Sequence, residues 1–315
     1  MLAFVARRLL AAVPVILVVG ATVFVLIHLA PGDPIRVMLG PDARLEQVER
    51  FRQELGLNQP LPVQFALWFS RAMVGDLGES IFLRRPVTEA ILTRLEPTLL
   101  LTFGAVIIAI VIGVTAGLIS GLRRGTWIDQ FFMFLALLGV SIPEFWLALN
   151  LVILFGVEWR LFPVAGYVTI AEGGLWAAIR HLTLASLAVG FIQSALIARM
   201  TRSSIIEVMS LDYIRTAKAK GLARLPLVLK HALRNAMIPI ITVIGLVFAL
   251  SLGGAIVVEI VFNIPGVGRL LIQAVGRRDY PVIQGVALYI AFAYVLANLL
   301  VDMTYGLIDP RIRYD

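Results

Sequence analysis

The chain has 315 residues, 60% of them hydrophobic and 15% charged, with a mean hydropathy of +0.93 and a formal net charge of +7. That apolar content exceeds what the interior of a water-soluble domain of this length can use, so the composition points to an integral membrane protein. The absence of cysteine excludes disulfides, thiolate metal sites and a cysteine nucleophile, and the basic excess fits membrane-flanking loops better than a nucleic-acid surface.

The first apolar run covers 9–30 and follows a basic start at Arg7 and Arg8. It is long enough to cross a ~30 Å hydrocarbon core, and the PGDP that follows holds no small-residue cleavage site, so it reads as a retained signal-anchor helix. The next stretch, 31–97, is polar but patterned. RLEQVERFRQELGL puts Leu45, Val48, Phe51 and Leu55 at helical spacing, with Gly56 as the stop. PVQFALWFSRAMVGD predicts a second short helix, and PVTEAILTRLEP a third that carries Val87, Ile91 and Leu95 on one face and ends at Pro97. Apolar runs then follow at 98–120, 128–155, 181–198, 236–258 and 282–301; His181, Ser186, Gln193 and Ser194 dilute the third of these. Backbone polar groups in lipid must bond internally, so these runs are helices. The expected fold is an all-α membrane protein with six transmembrane helices and a helical extracytoplasmic segment between the first two. Its expected divisions are 1–30, 31–97 and 98–315.

Orientation follows from the basic residues of short loops. Arg7 and Arg8, Arg123 and Arg124, and the interval 199–235 all fall on one side of a six-span chain. That side is therefore read as cytoplasmic, and the terminal DPRIRYD joins it. The interval 199–235 carries eight Lys/Arg against Glu207 and Asp212 and is too long for a simple turn. DYIRTAKAKGL predicts a short basic helix capped by Gly221, and LPLVLKHALRNAMIP predicts a second helix, Pro226 in its first turn, running toward the fifth span. Two readings fit this element. The basic residues anchor the chain to anionic lipid headgroups, or the short exposed helix docks in the groove of a partner protein.

These residues resemble a known family. Permease subunits of ABC importers carry a cytoplasmic pattern Glu-Ala-Ala-x3-Gly-x9-Ile-x-Leu-Pro. Aligned on Gly221, Ala217 and Leu233 match it, Arg215 and Thr216 stand for Glu and the first Ala, and His231 and Arg234 replace Ile and Pro. The form DYIRTAKAKG…KHALRNAMIP is similar to the dipeptide, oligopeptide and nickel branch of that family. So are HLAPGDP, LGLNQPLPVQF, GVSIPEFWLAL, IVVEIVFNIPGVGRLL, RRDYPVIQG and DPRIRY, in the same order along nearly the whole chain. The resemblance implies the first of two different permease subunits in the cytoplasmic membrane of a bacterium or archaeon, with the type I importer permease fold. It would work with a second permease subunit, two cytoplasmic ATPases that bind ATP and Mg, and an extracytoplasmic substrate-binding protein. It implies that Tyr213, Arg215, Thr216, Ala217, Lys218, Lys220, Gly221 and Leu222 couple the chain to an ATPase. The cargo would be short peptides, with nickel chelates, glutathione and opines as alternatives. FNIPGVGRLL resembles a short re-entrant turn packed back on the bundle.

The chain holds no GxxxxGK[ST] phosphate loop, so ATP is expected to bind elsewhere, and this subunit is expected to need no cofactor and to be no enzyme. Polar residues within spans are candidates for the translocation path: Glu144, Asn150, Gln193, Ser194, Ser251 and Glu259. His28, His181 and His231 lie on three separate elements, which gives no metal-ligand spacing. A secondary transporter is the rival class, but the chain shows neither an internal repeat nor paired broken helices.

Overall fold

The computed structural model describes residues 2–29, 44–54 and 58–308. Among these the chain is helical, with one isolated bridge between Glu79 and Pro86 in place of any sheet. In chain order the helices are α1 (Leu2–Leu29), α2 (Leu45–Glu54), α3 (Leu61–Met73), α4 (Val87–Leu122), α5 (Trp127–Ser141), α6 (Glu144–Leu151), α7 (Ile170–Met209) and α8 (Asp212–Ala219). A helical lead-in, Arg224–Pro226 and the π-helical Leu227–Leu233, then runs into α9 (Arg234–Gly254), and α10 (Ile256–Val261), α11 (Val267–Arg277) and α12 (Tyr280–Ile308) follow. Among the described residues four stretches are long and apolar enough to cross a membrane: α4, α7, the run Arg224–Leu252 and Tyr280–Thr304. Counting the bent pair Trp127–Ser141 and Glu144–Glu158 as one span makes five, and α1 carries a shorter apolar stretch, Leu10–Leu26.

The chain divides into two compact units. The first comprises Met1–Glu96 and Gly266–Val295, the second Pro97–Pro265 and Leu296–Asp315. In the first, Phe24 of α1 is buried and meets Phe65 and Trp68 of α3 at ring-centroid distances of 5.5 and 5.9 Å. A separate core gathers Val87, Ala90 and Ile91 of α4 against Leu270 of α11 and Val282 and Val286 of α12. Beside it, the buried Asp279 carboxylate accepts hydrogen bonds from Ser80 Oγ (2.5 Å) and from the backbone N–H groups of Ile81 and Phe82 (3.3 Å each). One acidic side chain thus satisfies a turn that would otherwise leave its donors unpaired.

The second unit is organised by a close crossing of α4 and α7. Gly113, Gly117 and Gly121 recur every fourth residue and so form one stripe along α4. A methyl group on Gly113 would lie 2.7 Å from the Ser194 carbonyl oxygen, and one on Gly117 2.6 Å from Thr201 Cβ. From the other helix, one on Gly190 would lie 2.6 Å from the Ala105 carbonyl oxygen. Small residues at this spacing let two apolar helices approach to backbone contact, which is how helices associate where lipid removes the hydrophobic driving force.

Several expectations need correction. The helix predicted to stop at Pro97 continues through it to Leu122, because the proline forfeits a single backbone bond while buried in an otherwise unbroken apolar helix. The third expected span is not straight. Ile142, next to Pro143, is forced extended (φ −81°, ψ 127°), and α5 and α6 meet at 103°. The fifth expected span, 236–258, breaks at Ala255 (φ −71°, ψ 0°), so that α10 is a separate helix. Beyond FNIPG the chain forms a regular helix, α11, of 11 residues. In α2, Val48 is buried but Leu45 is exposed. The stop expected at Gly56, the segment PGDP and the tail DPRIRYD lie outside the described residues.

Substituting isoleucine at Gly117 is expected to force α4 and α7 apart and destabilise the second unit by about 1–3 kcal/mol. Thermal melting of the detergent-purified chain, followed by size-exclusion chromatography, measures this. Gly276→Ala, where an added carbon meets nothing within 4 Å, should melt at or slightly above the parent temperature.

Candidate functional site

The basic interval 199–235 is mostly helix. α7 has 40 residues, about 60 Å at ~1.5 Å per residue, roughly twice the hydrocarbon thickness. It kinks near its start at Gly174 (φ 74°). Its last turns, 199–209, extend as a stalk beyond the apolar run expected at 181–198, so the basic interval begins inside this helix. Only 210–223 lies between this stalk and the lead-in to α9, and α8 occupies most of it.

α8 has a buried side and a displayed side. Ile214 is fully buried and Ala217 half-buried, both in a core formed with Ile205 and Val208 of α7, Leu227 and Ala232 of the lead-in and Ala236 of α9. Tyr213 is 40% exposed, and its hydroxyl accepts a hydrogen bond from Asn235 Nδ2 at 2.8 Å. Arg215, Thr216, Lys218, Lys220 and Leu222 are exposed. The Arg215–Asp212 pair (3.3 Å) is solvent-exposed and contributes little. Gly221 ends the helix with φ 76°, a left-handed conformation that a residue with a Cβ adopts only with strain, while Leu222 N–H closes on the Ala217 carbonyl at 3.2 Å. The expected coupling residues therefore split: Ala217 faces the chain's own core, and Arg215, Thr216, Lys218, Lys220 and Leu222 face outward.

Sequence reasoning missed the group that holds the stalk. Asp129, in the first turn of α5, is 3% exposed and pairs with Arg202 of α7 through two bonds, Nε to Oδ1 (2.6 Å) and Nη2 to Oδ2 (2.8 Å). Gly125 N–H donates to Oδ2 at 2.9 Å and Ser120 Oγ to Oδ1. One carboxylate thus ties the end of α4, the turn after it and α7. A lone aspartate three residues after Thr126 reads as helix capping, and the spacing of 73 residues hides its partner.

The six path candidates are spread over α6, α7, α9 and α10. Ser194 lines a cavity of about 340 Å³ walled by α4, α5 and α7, including Thr115, Phe132 and Phe191, and donates to the Phe191 carbonyl at 2.6 Å. Gln193, next to it, is half-buried. Glu144 is half-buried in the first turn of α6, and Asn150 is exposed and bonds the Trp146 carbonyl of its own helix. Ser251 is buried and donates back to Val247. Glu259 is fully buried in α10 and accepts a 2.7 Å hydrogen bond from Thr98 of α4. Ser251 and Glu259 thus have structural partners within the chain. Among the described residues no group of acidic or histidine side chains could hold a metal ion.

The chain matches the family model described as "Binding-protein-dependent transport system inner membrane component" over residues 113–314, and a companion model for the N-terminal part of such components over residues 1–102. It is 44% identical over 312 residues to a "Probable peptide ABC transporter permease protein" of Sinorhizobium fredii, covering 99% of each chain. It is 45% identical over 314 residues to the glutathione transport system permease protein GsiC of Escherichia coli O6:H1, covering 100% of each. The same identity and coverage hold for the protein of that name in Shigella boydii.

Removing Arg202 strands the buried Asp129 carboxylate, whereas removing Asp129 leaves an arginine side chain that is 30% exposed. Arg202→Met is expected to cost about 3–5 kcal/mol, Asp129→Ala less because water reaches Arg202, and the double change distinctly less than the sum. A double-mutant cycle on thermal stability checks this, and strict additivity of the two singles would count against the clamp.

Proposed function

The chain belongs to the family of inner-membrane components of binding-protein-dependent transport systems, and on that premise we propose that it is one of two permease subunits of an ATP-driven importer of short peptides. It contributes half of the translocation path. The premise is carried by the matches along the whole chain; the helix α8 carries the mechanism. A partner ATPase grips the outward residues Arg215, Thr216, Lys218, Lys220 and Leu222. Ile214 and Ala217 fix the same helix to the α7 stalk and to the lead-in of α9. ATP-driven closure of two such ATPases then moves these helices as rigid bodies and switches the path between inward- and outward-facing forms. The ATPases bind ATP and Mg; this subunit holds no cofactor and performs no hydrolysis.

In this reading the chain crosses the membrane six times. α1 supplies the first span, the bent α5–α6 pair the third, and both termini are cytoplasmic. The helices α2 and α3 belong to an extracytoplasmic segment that helps receive the binding protein. The positions of basic residues support this orientation. Cargo is chosen first by the binding protein. The names of the relatives support peptides, and glutathione, itself a short peptide, is the nearest alternative; nickel chelates and opines remain cargo classes for the same machinery. The rival headgroup-anchor reading leaves α8 without a partner protein.

The deciding experiment is affinity capture of the tagged chain from native membranes in mild detergent, followed by mass spectrometry. A second six-span permease and P-loop ATPases are expected to accompany it. Ala217→Arg, which lifts α8 off its core, and Gly221→Pro, which demands φ near −65° where the chain needs +76°, should insert normally yet lose ATPase stimulation and transport. Normal stimulation in either variant would refute coupling through α8. Replacing His28, His181 and His231 together should leave uptake of peptide or chelated metal within about twofold of the parent, since no metal-ligand spacing joins them. Total loss of metal uptake in that variant would show direct metal handling by this chain.

A further inference from the structure

Where α4 ends and α5 begins, the second unit carries an open groove of about 700 Å³, within the ~300–1,000 Å³ range of small-ligand sites. One wall is the α4–α5 turn, with Arg123, Trp127 and Phe131; the other is the lead-in to α9, with Arg224, Leu225 and Val228. The lining is apolar except for the two arginines and contains no carboxylate. The nearest acid in sequence, Asp129, is turned away and held by Arg202. Arg123 and Arg224 are exposed and have no ion-pair partner among the described residues. Trp127 is 74% exposed and Leu225 68%, so apolar surface lies open beside two cations.

We propose that this groove binds an anionic phospholipid, with the phosphate between Arg123 and Arg224 and an acyl chain along Phe131, Leu225 and Val228. The charge pattern selects this occupant. Two guanidinium groups match phosphate oxygens in shape and charge, and arginine loses hydration more readily than lysine. Basic pockets between membrane helices on the cytoplasmic side take anionic headgroups, and a tryptophan at a helix start sits at the level where headgroups lie. A protein partner would have to cover this apolar wall while supplying acids to both arginines. The groove also spans the α4–α5 turn and the segment just after Gly221. A lipid bound there braces the lead-in through which α8 connects to α9. Only the choice of leaflet and this bracing effect rest on the function proposed above; lipid binding does not.

The test is lipid analysis of the chain purified, with whatever subunits accompany it, from membranes containing both phosphatidylglycerol and phosphatidylethanolamine. After extensive detergent washing, phosphatidylglycerol should be enriched on the order of tenfold over its share of the membrane. Arg123→Gln combined with Arg224→Gln should bring that ratio to the bulk value, lysine at both positions should preserve only part of it, and Arg124→Gln should leave it unchanged. Absence of enrichment, or enrichment indifferent to the double change, overturns the site. Should the double variant not be recoverable, the parent chain in nanodiscs supplies the answer. Brominated phosphatidylglycerol should quench tryptophan fluorescence more than brominated phosphatidylcholine, and Trp127→Phe should remove the difference. Equal quenching by both lipids overturns the site. So does cross-linking of a protein subunit to Leu225→Cys through the groove; the chain has no native cysteine to confuse that result. Capture of ATPases with α8 intact is a separate readout, so failure here leaves the importer assignment standing.

Discussion

The second unit depends on one constraint, the backbone contact of α4 with α7. Two apolar helices gain no hydrophobic energy by leaving lipid for each other, so they must fit closely enough to gain dispersion contacts instead. The stripe Gly113, Gly117, Gly121 provides that fit. At its end, Gly117 and Gly121 meet Thr201, Arg202 and Ile205, where the Asp129–Arg202 pair takes over. Close packing and a charge clamp are thus consecutive parts of one seam. The seam fixes the angle at which the α7 stalk leaves the apolar part of the molecule, and so where α8 is held.

Polar groups within the apolar helices follow the same economy. Ser251, Thr242 and Thr183 donate to carbonyls one turn back on their own helices. Among the described residues buried acids are fewer, and each joins distant segments: Asp129 joins α5 to α7, Glu259 joins α10 to α4, and Asp279 holds the turn at Ser80. A buried carboxylate is costly unless well bonded, and here the satisfied carboxylates also set which elements meet.

In the importer reading, this rigidity has a use. A coupling helix transmits force only if it is fixed to what it moves. α8 is short, and a helix of its length has little stability by itself. Its position comes from Ile214 and Ala217 on one side and from the Tyr213–Asn235 hydrogen bond on another. The outward basic side is then free for a partner, and the lipid groove beside Arg224 lies where such motion would enter α9.

The sequence by itself determined the helical membrane class, the position of four apolar spans, the short basic helix and its glycine stop. Each of these depends on residues close together in the chain: runs of apolar side chains, a period of 3.6, a φ value that glycine alone adopts easily. It also carried the family, because that resemblance rests on ordered local motifs. Pro97 misled because the local rule for proline ignores an apolar setting that holds the helix together. Pro143 did bend the chain, yet nothing nearby states an angle of 103°. Tertiary structure alone decided the rest. The partner of Asp129 is 73 residues away and that of Asp279 is 199. The glycine stripe is visible in the sequence, but the face it meets is not. Ala217 reads as part of a docking surface until the fold turns it inward. Which side of a helix is covered depends on what packs there, and packing joins residues that the chain keeps far apart.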